Sequence, residues 1–430
     1  MERLAYKELV NWKNSDTRKP LIMRGARQVG KTWIAKDFAK NQFENNWVYI
    51  NFEEDAFLQK VFENDFNIDR ILRTISLRKD VVIKEDTLLI FDEIQAAKRG
   101  VTSLKYFCED ARHLPIIAAG SLLGISMHSG DSFPVGKVDF LDLEPLSFRE
   151  FLMANGKDMW LKILDEHDWS LLPVIKDQFV DMLKSYYYVG GMPEAVQTYI
   201  NTMDMSKVRK VQLNILNAYS SDFSKHAPGQ EVPRIKMVWD SIVGQLSKEN
   251  KRFVYNVLKE GARAKEFELA IQWLTDAGLI RKVQRTKSGE LPLVAFEDFG
   301  TFKLFLLDVG LLCAMSQLNS SILVEEDTLF STFKGALTEQ YVCQQLSGNV
   351  DSLYYWSAEN SSGEIDFLVQ KEGKVFPIEV KAEENLKSKS LKAFVNKYKG
   401  LKGVRLSMSD YRDQEWMVNI PLYAMAAQFE

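Results

Sequence analysis

Residues 25–32 read Gly25-Ala26-Arg27-Gln28-Val29-Gly30-Lys31-Thr32 and match the spacing Gly-x-x-x-x-Gly-Lys-Ser/Thr in full. The apolar run Leu21-Ile22-Met23 precedes them and a helix-forming stretch follows. This strand–loop–helix context is the one in which such a loop holds phosphate. The two glycines let backbone N–H groups turn inward, and the following helix adds the partial positive charge of its N-terminus. Gly25, Arg27, Gln28, Val29, Gly30, Lys31, Thr32 and Trp33 are therefore the expected nucleotide-binding residues. Lys31 should reach the β- and γ-phosphates, and Thr32 should offer its hydroxyl to Mg²⁺.

Working outward, Leu88-Leu89-Ile90-Phe91-Asp92-Glu93 is an apolar strand ending in two acids. In phosphate-loop ATPases the acid at such a strand end holds Mg²⁺, a role that suits Asp92. Glu93 beside it would orient or deprotonate the attacking water. Further apolar runs at 47–52, 115–120 and 138–143 bring the count to five buried strands separated by helical stretches. That alternation predicts a parallel sheet covered on both faces. A strand lying between those that carry the loop and the acids would bring Ser121 near the γ-phosphate. A simple turn serine is an equal alternative.

Composition narrows the class. The 430 residues are 46% hydrophobic and 27% charged, which excludes disorder as the main state. No apolar run approaches the ~18 residues that cross a bilayer. The polar start MERLAYKELVNWKN lacks the apolar middle of a signal peptide, so the chain reads as cytoplasmic, with no membrane partner. Cys108, Cys313 and Cys343 give neither a disulfide framework nor zinc spacing. A net charge of -4 makes any basic footprint a local matter.

Ser147-Phe148-Arg149-Glu150 is a capping box that should start a helix after the fifth strand. The chain from about 156 to 248 reads as all-helical, broken at Gly190-Gly191-Met192-Pro193. Helices at 253–260 and 264–276, then strands LIRKVQRT and LPLVAF around Lys287-Ser288-Gly289-Glu290, have the order of a winged helix-turn-helix. A helix at 332–347 and strands near 353–357, 364–370, 374–381 and 404–408 make up the remainder. The aromatic-rich run 296–305 reads as core.

Period-two alternation in 363–382 sets Glu364 and Asp366 on one face and Ile365 and Phe367 on the other. If Glu372-Gly373 is a two-residue turn, Asp366 lies opposite Glu379 and Glu364 opposite Lys381. Carboxylates directly across a ladder repel, and a divalent cation between Asp366 and Glu379 would relieve that. A salt-bridged hairpin on a solvated face is the plainer alternative.

RGARQVGKTW, LLIFDEIQ and the later LEPLSFREF together resemble the bacterial and archaeal AAA-type ATPases fused to a C-terminal nuclease-like domain, relatives of the STAND-type regulatory ATPases. The resemblance implies an α/β chain with a five-stranded parallel AAA-type P-loop NTPase core at 1–155. A helical lid would follow at 156–248, a winged helix at 249–330, and a restriction-endonuclease-like domain at 331–430. It implies ATP, ADP and Mg²⁺ as ligands, and DNA as a candidate partner. In that class a Gly-x-Pro element of the lid packs near the base, which singles out Pro193. Asp366 with Glu379-Val380-Lys381 is similar to the PD-(D/E)xK pattern, lacking the preceding proline. By that resemblance Asp366, Glu379 and the helical Glu339 would hold Mg²⁺, and Lys381 would position or activate water. Of the Gln-x-x-x-Tyr that often follows, Tyr398 is present and Phe394 stands where Gln would. Arg99, Arg112, Arg149 and Arg263 are the candidates for a trans-acting arginine. Residues 385–409 hold seven basic residues, Lys387, Lys389, Lys392, Lys397, Lys399, Lys402 and Arg405, and no acid. That is either a polyanion-binding stretch or a solvated helix. The two functional expectations are an ATP-driven switch coupled to a nuclease-like, DNA-binding C-terminal domain, and a STAND-like signalling ATPase whose C-terminal domain binds a protein or ligand and has no nuclease activity. Glu93 and the large C-terminal half argue against a nucleoside kinase.

Overall fold

The computed structural model describes residues 1–120, 133–320, 331–350, 352–359, 363–383 and 387–429. They form two compact units, Met1–Glu144 with Asp276–Gly278, and Pro145–Thr275 with Leu279–Glu430.

The first unit is built on five parallel strands, β1 (Leu21–Arg24), β2 (Trp47–Asn51), β3 (Leu88–Asp92), β4 (Ile116–Ala119) and β5 (Asp139–Asp142). They lie in the order β2-β3-β4-β1-β5, at the positions of the five apolar runs. The inner strands β1, β3 and β4 are largely buried and apolar, so helices cover the sheet and carry the chain between parallel neighbours. α1 (Ala5–Lys13) precedes β1, and α2 (Lys31–Phe43), α3 (Ile68–Lys79) and α4 (Gly100–Asp110) connect successive strands. In α3 the apolar stripe Ile68, Ile71 and Ile75 is buried, and the Asn67 side chain caps the start by accepting from Arg70 N–H. Phe91 anchors the core one residue before the acids, its ring meeting Phe52 at 5.6 Å and Phe107 at 5.7 Å edge-on. Alternation then sends Asp92 to the opposite face from Leu89 and Phe91.

The second unit is helical at first. Phe148–Ala154 starts on the expected capping box, with Ser147 Oγ accepting from Glu150 N–H and the Glu150 carboxylate accepting from Ser147 N–H. Helices Lys176–Val189, Pro193–Thr202, Met205–His226 and Val232–Leu246 follow. An eight-stranded mixed sheet comes next, in the order β12-β13-β11-β10-β9-β8-β6-β7. Its strands are β6 (Ile280–Thr286), β7 (Glu297–Leu306), β8 (Ser352–Ser357), β9 (Glu364–Lys371), β10 (Lys374–Val380), β11 (Gly403–Ser407), β12 (Arg412–Asp413) and β13 (Met417–Pro421).

The segment expected as a winged helix differs at two elements. Residues 253–260 form no α-helix, only a 3-10 turn at Tyr255–Val257. Phe253 N–H donates instead to Phe302 O at 2.8 Å, and the two rings stack at 5.4 Å. Pairing across the chain outweighs a weak helical period there. The second hairpin strand is β7, not 291–296, because Leu293–Phe296 turns as a 3-10 helix. β6 also pairs in parallel with β8, so the hairpin is a part of the large sheet. Of the run taken as core, Thr301 to Phe305 is buried, while Phe299 is 76% exposed.

The Glu372-Gly373 turn forms as expected. Both residues have positive φ, 50° and 71°, as the two-residue turn requires. The ladder runs from Lys371↔Lys374 to Phe367↔Ile378, in the expected register.

The double-glycine break serves a buried carboxylate. Asp308 accepts from Gly191 N–H at 2.6 Å, Leu311 N–H at 2.9 Å and Gln344 Nε2 at 3.1 Å. A Cβ on Gly190 would stand 2.2 Å from Asp308 Oδ1, and one on Gly191 would stand 2.1 Å from Leu146 O. Asp308→Ala strands three buried donors at about 1–3 kcal/mol each. Urea unfolding should therefore show a loss of about 3 kcal/mol or more, against a much smaller one for Asp410→Ala on the surface. Equal losses would remove Asp308 as the joint of these helices.

Candidate functional sites

The loop after β1 carries the left-handed residues that its shape demands. Gly25 has φ 137°, Gln28 68° and Gly30 97°. A Cβ at Gly25 would stand 2.2 Å from Leu143 O, so glycine is required by space as well as by φ. Val29 is fully buried, and its carbonyl accepts from Arg3 Nη1 at 3.0 Å. Arg3 also donates to Glu144 O, tying the loop to the end of β5.

Lys31 is 7% exposed and donates to Gly25 O at 2.8 Å and Ala26 O at 2.7 Å. It spans its own loop from inside. Burial lowers its pKa to about 8, against the pull of Glu93 and Asp92, and Arg27 adds to the lowering. Thr32 Oγ1 donates to Asp92 Oδ2 at 2.8 Å. This brings together a hydroxyl from α2 and a carboxylate from β3, the pair expected to hold Mg²⁺. Both are hard oxygen donors, so the pair fits that ion.

Two side chains around the acids were not anticipated. Tyr49 on β2 donates its hydroxyl to Asp92 Oδ2 at 2.7 Å. Burial and that acceptor raise the Tyr49 pKa, so the phenol stays protonated. Gln95 Nε2 donates to Glu93 Oε2. Glu93 itself lies in the left-handed region at φ 50°, a conformation costly for a residue with a Cβ. Its neighbour in sequence, Asp92, is 4% exposed. β4 lies between β1 and β3, where the Ser121 argument needs it, but Ser121 is outside the described residues. Trp33 is 48% exposed at the start of α2. Pro193 opens its helix in the second unit.

Three of the arginines considered for a trans role are engaged within their own units. Arg99 donates to Glu63 O and lies over the Phe66 ring, Arg112 donates to Thr17 O, and Arg149 pairs with Asp165 at 2.7 Å. Arg263 is exposed.

The second cluster differs from its expectation. Glu339 is buried, but among the described residues no three acids, histidines or cysteines gather as metal ligands. Lysines stand beside three of the acids on this face. Lys303, 1% exposed, pairs with Glu364 and stands 3.7 Å from Glu339 Oε2. Lys251 Nζ donates to the other Glu339 oxygen at 2.7 Å. Lys381 pairs with Glu379 at 3.2 Å. The Asp366 carboxylate accepts from Val380 N–H at 2.7 Å.

The titration behaviour follows from this packing. Burial, together with Glu339 and Glu364, pushes Asp366 up to about 7, while Lys303 and the Val380 N–H pull the other way. Burial alone would raise Glu339 and lower Lys303. Their mutual attraction, with Lys251 acting on Glu339 and Glu364 on Lys303, reverses both shifts. Glu339, Glu364 and Glu379 thus each face an ammonium group, while Asp366 accepts from the Val380 N–H, and Glu339 Oε2 and Glu379 Oε2 are buried without a hydrogen-bond partner. The sequence signal for this was Lys303 itself, an ionisable residue inside an apolar strand, which needs a counter-charge.

The parallel sheet, the glycine-bearing loop and the paired Thr32 and Asp92 give the first unit the fold of a P-loop nucleotide-binding domain. Residues 17–152 match the profile of the AAA domain family. Residues 180–322 match a domain of unknown function, DUF8612, and residues 334–425 another, DUF4143. An uncharacterised protein of Methanocaldococcus jannaschii is 22% identical over 404 residues, covering 91% of this chain and 82% of that one. Among solved structures, the Walker-type ATPase of Pyrococcus abyssi is similar at a TM-score of 0.46 and 13% identity, over 73% of this chain and 95% of that one. AMPPCP-bound DnaA from Aquifex aeolicus is similar at a TM-score of 0.30 and 13% identity, over 64% and 87%. No described helix is long and apolar enough to cross a membrane.

Two measurements test the geometry. A phosphate beside Lys31 stabilises its charged form, so binding a triphosphate raises the lysine pKa from about 8. Affinity should be highest below pH 8 and weaken by up to about tenfold per pH unit above it. Titration of a fluorescent ATP analogue from pH 7 to 9.5 measures this, and a flat profile would contradict the lowered pKa. In the second unit, Lys303→Met leaves buried carboxylates uncompensated. It should cost about 3–5 kcal/mol in urea unfolding.

Proposed function

We propose that the chain is an ATP-hydrolysing switch whose C-terminal unit binds a partner and does not cut it. The contact between Thr32 and Asp92, with Glu93 next in sequence, carries the first half of this reading. Thr32 and Asp92 would hold Mg²⁺, which when bound draws charge from the β- and γ-phosphates. Tyr49 braces Asp92 by its hydrogen bond and fixes which carboxylate oxygen stays free. Lys31 exchanges its two loop carbonyls for phosphate oxygens. Glu93 orients a water toward the γ-phosphorus and accepts its proton as the bond to the bridging oxygen breaks. ATP rather than GTP is favoured by the absence of an Asn-Lys-x-Asp element for reading guanine.

Compensation of the acids by Lys303, Lys251 and Lys381 supports the second half. A nuclease of the expected kind needs its carboxylates free to take a divalent ion, and here Glu339, Glu364 and Glu379 each face an ammonium group. A regulatory ATPase that uses its C-terminal unit for recognition agrees better with this arrangement.

Glu93→Gln should keep ATP binding and lower hydrolysis at least about 100-fold, while Lys31→Ala should lose both. Phosphate release and nucleotide retention measure the two separately. Wild-type hydrolysis by Glu93→Gln would refute the assignment. Incubation of the wild-type chain with single- and double-stranded DNA and Mn²⁺ should leave the strands intact. Cleavage lost in Asp366→Ala would restore the nuclease reading.

A further inference from the structure

We infer that the C-terminal unit carries a binding track for single-stranded nucleic acid, formed by two cavities on either side of Lys397. This deepens the proposed function and rests on its reading of that unit as a binder. The larger cavity, about 820 Å³, is bounded by Lys374 of β10, by Lys397, Tyr398, Lys399 and Lys402 at the end of the helix Lys389–Lys397, and by Tyr411. The smaller, about 320 Å³, is bounded by Trp356, Lys389 and Phe394. Lys397 belongs to both walls.

The charge of the track is positive and little of it is compensated. Glu290 and Asp413 are the acids lining the larger cavity, and none lines the smaller. Lys402 is paired with Asp413. Lys374, Lys389, Lys397 and Lys399 pair with no carboxylate among the described residues, and all four are exposed at the ammonium-bearing surface. Lys397 Nζ is held instead by aromatic faces, 5.0 Å from the Tyr398 ring and 5.7 Å from that of Trp356. An ammonium beside ring faces has no carboxylate to give up when an anion arrives.

The rings decide which polyanion fits. Tyr398, Trp356, Phe376 and Tyr411 are half-buried along the walls. Tyr411 is already set in place by stacking on Trp169 at 4.2 Å and 4°. Flat aromatic walls between lysines suit unstacked bases joined by phosphates. A duplex hides its base faces, and an acidic peptide has none, so both would use the lysines alone. DNA and RNA strands share the chemistry that matters here.

The test is fluorescence anisotropy with the full chain, labelled dT20 and U20, in EDTA and without ATP, from 50 to 200 mM salt. Binding of one or both strands is expected, with affinity falling steeply as salt rises. Lys397→Gln/Lys399→Gln, two exposed positions in the second unit, should weaken it at least tenfold. It should also lower the salt slope by about 1.4, at about 0.7 per phosphate contact, with Tm and ATPase rate unchanged. Preference for dT20 or for U20 identifies the natural strand. No binding at 50 mM salt, no effect of the double variant, or equal binding of duplex or polyglutamate would overturn the inference. Lys31→Ala should bind the strands as the wild type does. Failure of the ATPase reading therefore leaves this result untouched, and cleavage in Mn²⁺ is read separately from binding in EDTA.

Discussion

An ammonium at the depth of Lys303, 1% exposed, is tolerable only because carboxylates surround it. A charge moved out of water loses several kcal/mol of hydration, which geometry must return. That requirement sets much of the second unit. It draws the middle of β7, the helix Ser331–Ser347 and the start of β9 toward one point. It fixes which face of β9 carries Glu364 and Asp366.

The first unit meets the same constraint differently. Lys31 is nearly as hidden, yet its hydrogen-bond partners are two carbonyls of its own loop, which are neutral and readily replaced. Its pKa falls where that of Lys303 rises. One lysine is therefore poised to take an anionic ligand, and the other is locked into the fold. The difference is the bonded partner, neutral carbonyls for Lys31 and carboxylates for Lys303.

The first unit was legible in the sequence almost residue by residue, because its inner strands are short apolar runs bounded by polar turns. The phosphate loop and the two acids were legible for the same reason, since their spacing is dictated by a fixed ligand shape. Tyr49 was not, because a tyrosine in an apolar run looks like core until its hydroxyl partner is known. In the second unit the Glu372-Gly373 turn fixed the β9–β10 register in advance. What escaped was non-local. Phe253 is claimed by Phe302, and β6 finds β8 about seventy residues later in the chain. Lys251 and Lys303 come from segments read as a winged helix and as apolar core, so their meeting with Glu339 could not be seen in any single window of sequence.

Glu93 sits on backbone that glycine would occupy at lower energy, by roughly 1 kcal/mol. On the role proposed for Glu93, heat tolerance and turnover pull this position in opposite directions. A laboratory lineage selected only to survive warming would then have an incentive to discard the carboxylate, and its survivors would be hardier and chemically silent.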